Sequence, residues 1–359
     1  MSQLKLGALT LTDPTSGPAP TGWLNRLMLH FINDPRDLAF TRLSLFFSLT
    51  VVPAGIALFV VNVFPWYVAA GYWAFVAWML GPYILMLHNT SHRRLFKRSY
   101  DFFNHYIPWV LGPFFGETPD TYFAHHVGMH HPENNLSTDL STTLPYQRDS
   151  FIDFMRYFLR FFFAGLIELN WYFFKRKRFG LMRQAIVGEL GFYVVAASLF
   201  DWRPWPTTVV LLVPFVFTRF MMMAGNWGQH AFVDSKSPEN CYRNSITCVN
   251  GLYNRRCFND GYHIGHHVKA TRHWTEMPQD LADHVETYAK EGAIVFHGVD
   301  FFMVWLFLML KRYDWLAKHY VELDGAGRSK EQIISLLRSR LAVSALSVNA
   351  SSPEPAPNL

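Results

Sequence analysis

The sequence predicts an all-α integral membrane protein: four transmembrane helices in two hairpins, with a cytosolic helical cap that carries clustered histidines. Three observations lead there. Half of the 359 residues are apolar and only 16% are charged, against roughly 25% in a typical soluble domain. Four apolar runs are long enough to cross a bilayer core, which needs ~20 residues. Lysine and arginine are scarce in the short turns between those runs and gather in the long connecting segments.

The first span is expected over about 43–64 and the second over about 66–87, separated only by the turn at Phe64-Pro65. The second hairpin is expected over about 184–200 and 207–224, joined through Asp201-Trp202-Arg203-Pro204. Arg203 is the one basic residue in either turn. By contrast, residues 89–183 carry twelve lysines and arginines, and the region after the second hairpin carries fourteen. The positive-inside rule therefore places both long segments and the N-terminus in the cytosol. A multi-pass protein of the bacterial inner membrane or the endoplasmic reticulum is expected.

The net charge of +5 and pI near 9.0 accompany basic residues beside apolar spans. That distribution fits anionic lipid, and no nucleic-acid partner is expected. Residues 1–37 are polar, contain proline and lack the apolar core of a signal peptide, so they read as disordered. The tail over 344–359 reads the same way, leaving 38–343 as one unit. Cys241, Cys248 and Cys257 form no CxxC pair and are expected to be reduced.

Three further apolar stretches need placing. Phe102–Phe115 is too short to cross and contains Asn104 and His105, so an interfacial or re-entrant helix is expected. In Phe151–Phe174, Asp153, Arg156 and Arg160 recur at helical spacing, which predicts a helix lying along the membrane surface. Ile294–Leu310 contains His297 and Asp300, costly in lipid. It reads as an interfacial helix, with a fifth span as the alternative.

Chemistry concentrates in four clusters: His88-x3-His92, His126-x3-His130-His131, Asn226-x3-His230 and His263-x2-His266-His267. Imidazole is the commonest protein metal ligand. On a helix, His88 and His92 share a face, as do His126 and His130, whereas His131 points roughly 100° away. Adjacent histidines on a helix serve two neighbouring metals more easily than one, so a two-metal site is predicted. Nine imidazoles and one carboxamide suit iron, zinc, copper or nickel and are too many for a structural zinc. His125 could replace His126 if the helix were shifted. His105, His273, His284, His297 and His319 read as structural or supporting. Glu117, Asp120 and Asp260 lie near the clusters and could orient their rings. Met221, Met222, Met223 and Trp227 could line an apolar channel, and Arg219 could hold a carboxylate or phosphate head group, with snorkelling to lipid the alternative.

The order HxxxH, HxxxHH, NxxxH, HxxHH around two membrane hairpins resembles the integral-membrane fatty acid desaturase superfamily over about residues 40–290. The resemblance implies an oxygen-dependent di-iron oxidoreductase acting on a fatty acid or fatty acyl chain. Its two irons would be held by His88, His92, His126, His130, His131, His230, His263, His266 and His267, with Asn226 bonding a metal-bound water. No HPGG-type haem motif is present, since His131-Pro132 continues as Glu-Asn. A separate electron donor of ferredoxin, rubredoxin or cytochrome b5 type is therefore implied, with Arg93–Arg98, Lys175–Arg178 or Arg255 and Arg256 as possible docks. Desaturation ranks first among reactions, then oxidative decarboxylation of free acids to 1-alkenes, then hydroxylation. A histidine-lined metal transporter is the non-enzyme alternative, although such sites are expected near the bilayer midplane.

Overall fold

The computed structural model describes residues 4–7, 9–17, 21–61 and 65–343. The tail expected to be disordered and most of the turn before Pro65 lie outside these residues. The fold is mostly helical. Four helices are long and apolar enough to cross a membrane: Pro35–Val60, Trp66–His92, Phe179–Trp202 and Pro204–Gln229.

The second helix outruns its apolar stretch because its polar end residues turn back on the backbone. Asn89, Thr90 and Ser91 bond the carbonyls of Leu85, Met86 and Leu87 at 2.7–2.9 Å, which keeps the helix intact as far as His92. In the first helix the regular geometry breaks at Thr50 (φ −124°). Pro53 supplies no N–H for the carbonyl of Leu49, so the ladder is interrupted there.

Three expectations are corrected. The N-terminal segment is ordered where it is described. Lys5–Leu6 pairs antiparallel with Leu9–Thr10, and Leu6 and Leu11 join a buried cluster with Tyr262, Ile264 and Leu281. Asp13 accepts hydrogen bonds from the Asn250 amide, Tyr262 and Asn254. The spaced leucines and one buried carboxylate provide apolar area and polar partners that overall polarity conceals.

Ile294–Leu310 is not one helix. Ile294–His297 is a strand paired in parallel with Ile246–Val249, and Phe301–Met309 is a separate helix N-capped by Asp300. Nine residues rise only ~14 Å, too little to span. The helix packs instead on the fourth long helix, where Gly228 lets the carbonyl of Phe301 approach; a Cβ there would lie 2.3 Å from it.

Phe102–Phe115 falls in three successive short 3-10 and π segments, Arg98–His105, Ile107–Leu111 and Gly112–Phe115, rather than one helix. Phe151–Lys175 is a continuous helix capped by Ser150. It buries Phe154, Tyr157 and Phe173, yet also leaves Phe163 and Ile167 exposed, so its apolar surface is not confined to one face.

Candidate metal centre

The nine cluster histidines meet at the ends of the second and fourth long helices and divide into two groups. His88, His92, His126, His131 and His266 form one; His130, His230, His263 and His267 form the other. Within each group one ring nitrogen from every histidine lies within 4.8 Å of the others.

The division differs from simple α-helix geometry at one place. Residues 126–130 form a π-helical turn, closed by the His131 amide bonding the His126 carbonyl. The wider turn brings residues five apart onto one face, so His126 and His131 face each other, Nε2 to Nε2 at 3.1 Å. His130 then points into the second group, not with His126 as its four-residue spacing suggested. Such π turns frequently mark functional sites. The other pairings follow α-geometry: His263 and His267 face at 3.0 Å, while His266 turns to His88 and His131, both at 2.9 Å.

These contacts fit metal coordination. Ligand nitrogens held ~2.1 Å from one metal lie roughly 3 Å apart. The Nε2 atoms of His92 and His130 are buried without a hydrogen-bond partner among the described residues, and a metal would satisfy both. The opposite ring nitrogens are held from outside. His88 Nδ1 donates to Asp260 at 3.0 Å, His130 Nδ1 to Asp139 at 2.7 Å, and His230 Nδ1 to the Asn244 carbonyl at 2.8 Å. Each fixes the tautomer that points Nε2 inward.

Burial and neighbouring histidines hold His126, His131, His263, His266 and His267 well below the usual imidazole range. Burial likewise lowers His230 to about 4. These rings are neutral at pH 7, as ligands must be. Because the folded pKa values lie below the unfolded value of ~6.5, the unfolded chain binds more protons in acid. The metal-free protein should keep its stability above pH ~6.5 and lose it progressively towards pH 4, read as a falling melting temperature.

Some supporting roles differ from those expected. Asp260 does orient a histidine, whereas Asp120 accepts from Trp109 Nε1 at 3.0 Å and Glu117 Oε1 has no partner among the described residues. Asp139 had no signal beyond its place in a serine- and threonine-rich loop. Its carboxylate also accepts from the Asn135 and Ser141 amides at 2.8 Å. Asp139→Asn should weaken metal binding roughly 10–100-fold in metal titration, and Asp120→Asn should leave it unchanged.

Arg219 does not present itself to a head group. It forks onto Glu189 at 2.7 and 2.9 Å and lies 4.2 Å over the Phe215 ring. Asn226 donates to the Ser141 carbonyl and Tyr157 hydroxyl. His125 joins neither histidine group; its Nε2 is buried without a partner among the described residues, and its ring meets Phe161 edge-on. His273 bonds Asp37 and Thr275; His284 and His319 bond backbone carbonyls. Asp34, Asp37 and His273 also converge, but Asp34 is already paired with Arg36 and Arg93.

An apolar cavity of about 470 Å³ opens beside the histidines, lined by His88, His126, His130, His263 and Met221–Met223. Trp227 does not reach it. That ring packs against Phe154 and Tyr157 and donates to the Arg148 carbonyl at 2.9 Å.

The model of the fatty acid desaturase family matches residues 64–299, well over half of the chain and including all four clusters. The chain belongs to the fatty acid desaturase family. This places the desaturase-family chain among membrane oxidoreductases, in accord with its four long apolar helices. Comparison with curated proteins and with solved structures gives no match.

Several arginines of the basic segments contact other parts of this family member. Arg93 pairs with Asp34, Arg94 with Asp101 and Arg176 with Glu133. Arg178 donates to the Gly128 carbonyl at 2.8 Å, and Arg256 covers the Trp78 ring.

Proposed function

We propose that the chain is an oxygen-dependent oxidoreductase that removes hydrogen from a fatty acyl chain, with two iron ions held by the nine histidines. The observation carrying this reading is the convergence of two imidazole groups on one wall of an apolar cavity. Iron bound there supplies the oxygen chemistry that side chains lack. Nitrogen-rich ligation suits iron, and neutral rings accept it without first losing protons.

The chain's own residues do the rest. Asp260, Asp139 and the Asn244 carbonyl hold the rings in position. Asn226 has both amide hydrogens committed, which leaves Oδ1 to accept a bond from water in the cavity. Met221–Met223 and Phe217 line an apolar bed, so selectivity comes from where the acyl chain is held. In the desaturation reading each turnover takes one dioxygen, two electrons and two protons, and removes two hydrogens from substrate to give two waters. A separate carrier of ferredoxin, rubredoxin or cytochrome b5 type would supply the electrons.

Desaturation to an internal alkene is the first reading, decarboxylation of a free acid to a terminal alkene the second, and hydroxylation the third. The twelve and fourteen basic residues in the segments flanking the second hairpin support a cytosolic active site above two helical hairpins. Purified, iron-loaded protein with fatty acids, oxygen and a reductase system should yield oxidised product. An internal alkene supports the first reading and an alkene one carbon shorter the second. Undiminished turnover without oxygen would overturn the proposal.

A further inference from the structure

The cavity beside the histidines is lined by many apolar groups but by one arginine or lysine, Arg256. Its guanidinium lies 3.6 Å from the centre of the Trp78 ring, and Nη2 donates to the Trp78 carbonyl at 2.7 Å. Two carboxylates line the same cavity and neither pairs with it. Asp260 is held by His88 and Tyr253, and Asp300 caps the Phe301–Met309 helix. Among the described residues, no acidic side chain forms an ion pair with Arg256.

The position of this arginine is built. Arg256 ends the short helix Leu252–Arg256, and the next residue, Cys257, packs so closely on the second long helix that a Cβ on Gly81 would lie 2.9 Å from its Sγ. That contact brings the end of the short helix against the second long helix, on which Trp78 also lies. Trp78 is 61% exposed and Leu252 67%, so this part of the cavity lining reaches the surface. Trp78 precedes His88 by ten residues, a rise of ~15 Å along the helix.

Resting on the oxidoreductase reading above, we infer that Arg256, stacked on Trp78, is the anchor for an anionic substrate head group. The substrate class is then an alkyl chain ending in a carboxylate or phosphate, rather than a neutral ester, alcohol or hydrocarbon. Stacking leaves the edge of the guanidinium for the anion, and arginine bonds both oxyanions through parallel N–H groups. The apolar lining receives the tail.

Binding decides this independently of turnover. The full-length protein in nanodiscs of zwitterionic lipid is titrated with palmitic acid, methyl palmitate, hexadecanol and palmitoyl-CoA. The wild type should bind the acid roughly 10- to 100-fold more tightly than the ester or alcohol, the worth of a charge-assisted hydrogen bond. Arg256→Gln should remove that preference while leaving hexadecanol binding unchanged, and Arg256→Lys should retain part of it. Retained hexadecanol binding also certifies that the variant is folded. Arg256-dependent binding of palmitoyl-CoA with no preference for the acid would assign the anchor to phosphate. An acid preference unchanged in Arg256→Gln overturns the inference. Absence of any oxidised product with the wild type would defeat the oxidoreductase reading and leave the binding result standing.

Discussion

His266→Ala should eliminate oxidised product and leave the purified protein short of its full iron content. His266 Nε2 faces both His88 and His131 at 2.9 Å, so its removal opens the five-histidine group at the centre. Losing a direct ligand should exceed the roughly 10–100-fold effect of losing a residue that only orients one. His284→Ala is the control, since that exposed ring bonds only its own helix at Asp280. Iron analysis and product chromatography on the same preparation read both effects. Cellular metal uptake should not change; reduced uptake with intact lipid oxidation would favour a transporter.

Gly188→Ala should produce the largest structural defect among single-methyl changes in the long helices. A Cβ at Gly188 would lie 1.6 Å from the Pro119 carbonyl oxygen, which is backbone and has no rotamer to escape through. The helix and the Pro119 loop would have to separate, costing about 3 kcal/mol or more. That loop leads directly into Thr121–His125 and the π turn bearing His126 and His130, so metal content should fall with stability. Gly191 lies in the same helix, and a methyl added there would meet nothing within 4 Å. Gly191→Ala should therefore be neutral or slightly stabilising, because alanine is the better helix former. Thermal unfolding in detergent compares the two; equal melting temperatures would show that the close approach is unimportant.

Much of this arrangement is legible along the chain because its causes are local. Apolar runs of sufficient length announce the four long helices, and histidine spacing announces His88 with His92 and the opposed directions of His266 and His267. The boundaries are less legible: Asn89–Ser91 look like loop residues, yet their side chains bond the preceding turn and extend the helix. Ile294–Leu310 is apolar throughout most of its length, but pairing with Ile246–Val249 draws its first half into a strand.

The sequence by itself determined the four long apolar helices, the family and the clustering of the nine histidines proposed as ligands, since hydrophobic length and residue spacing are properties of short segments. Only the tertiary structure decided which histidines face one another, because a π turn changes facing without changing spacing. It also assigned Asp139 to His130, Arg219 to Glu189 and Arg256 to the cavity. Those partners are nine to 178 residues apart, counting Arg256 to Trp78, and a pairing across folded helices leaves no periodic mark on the chain.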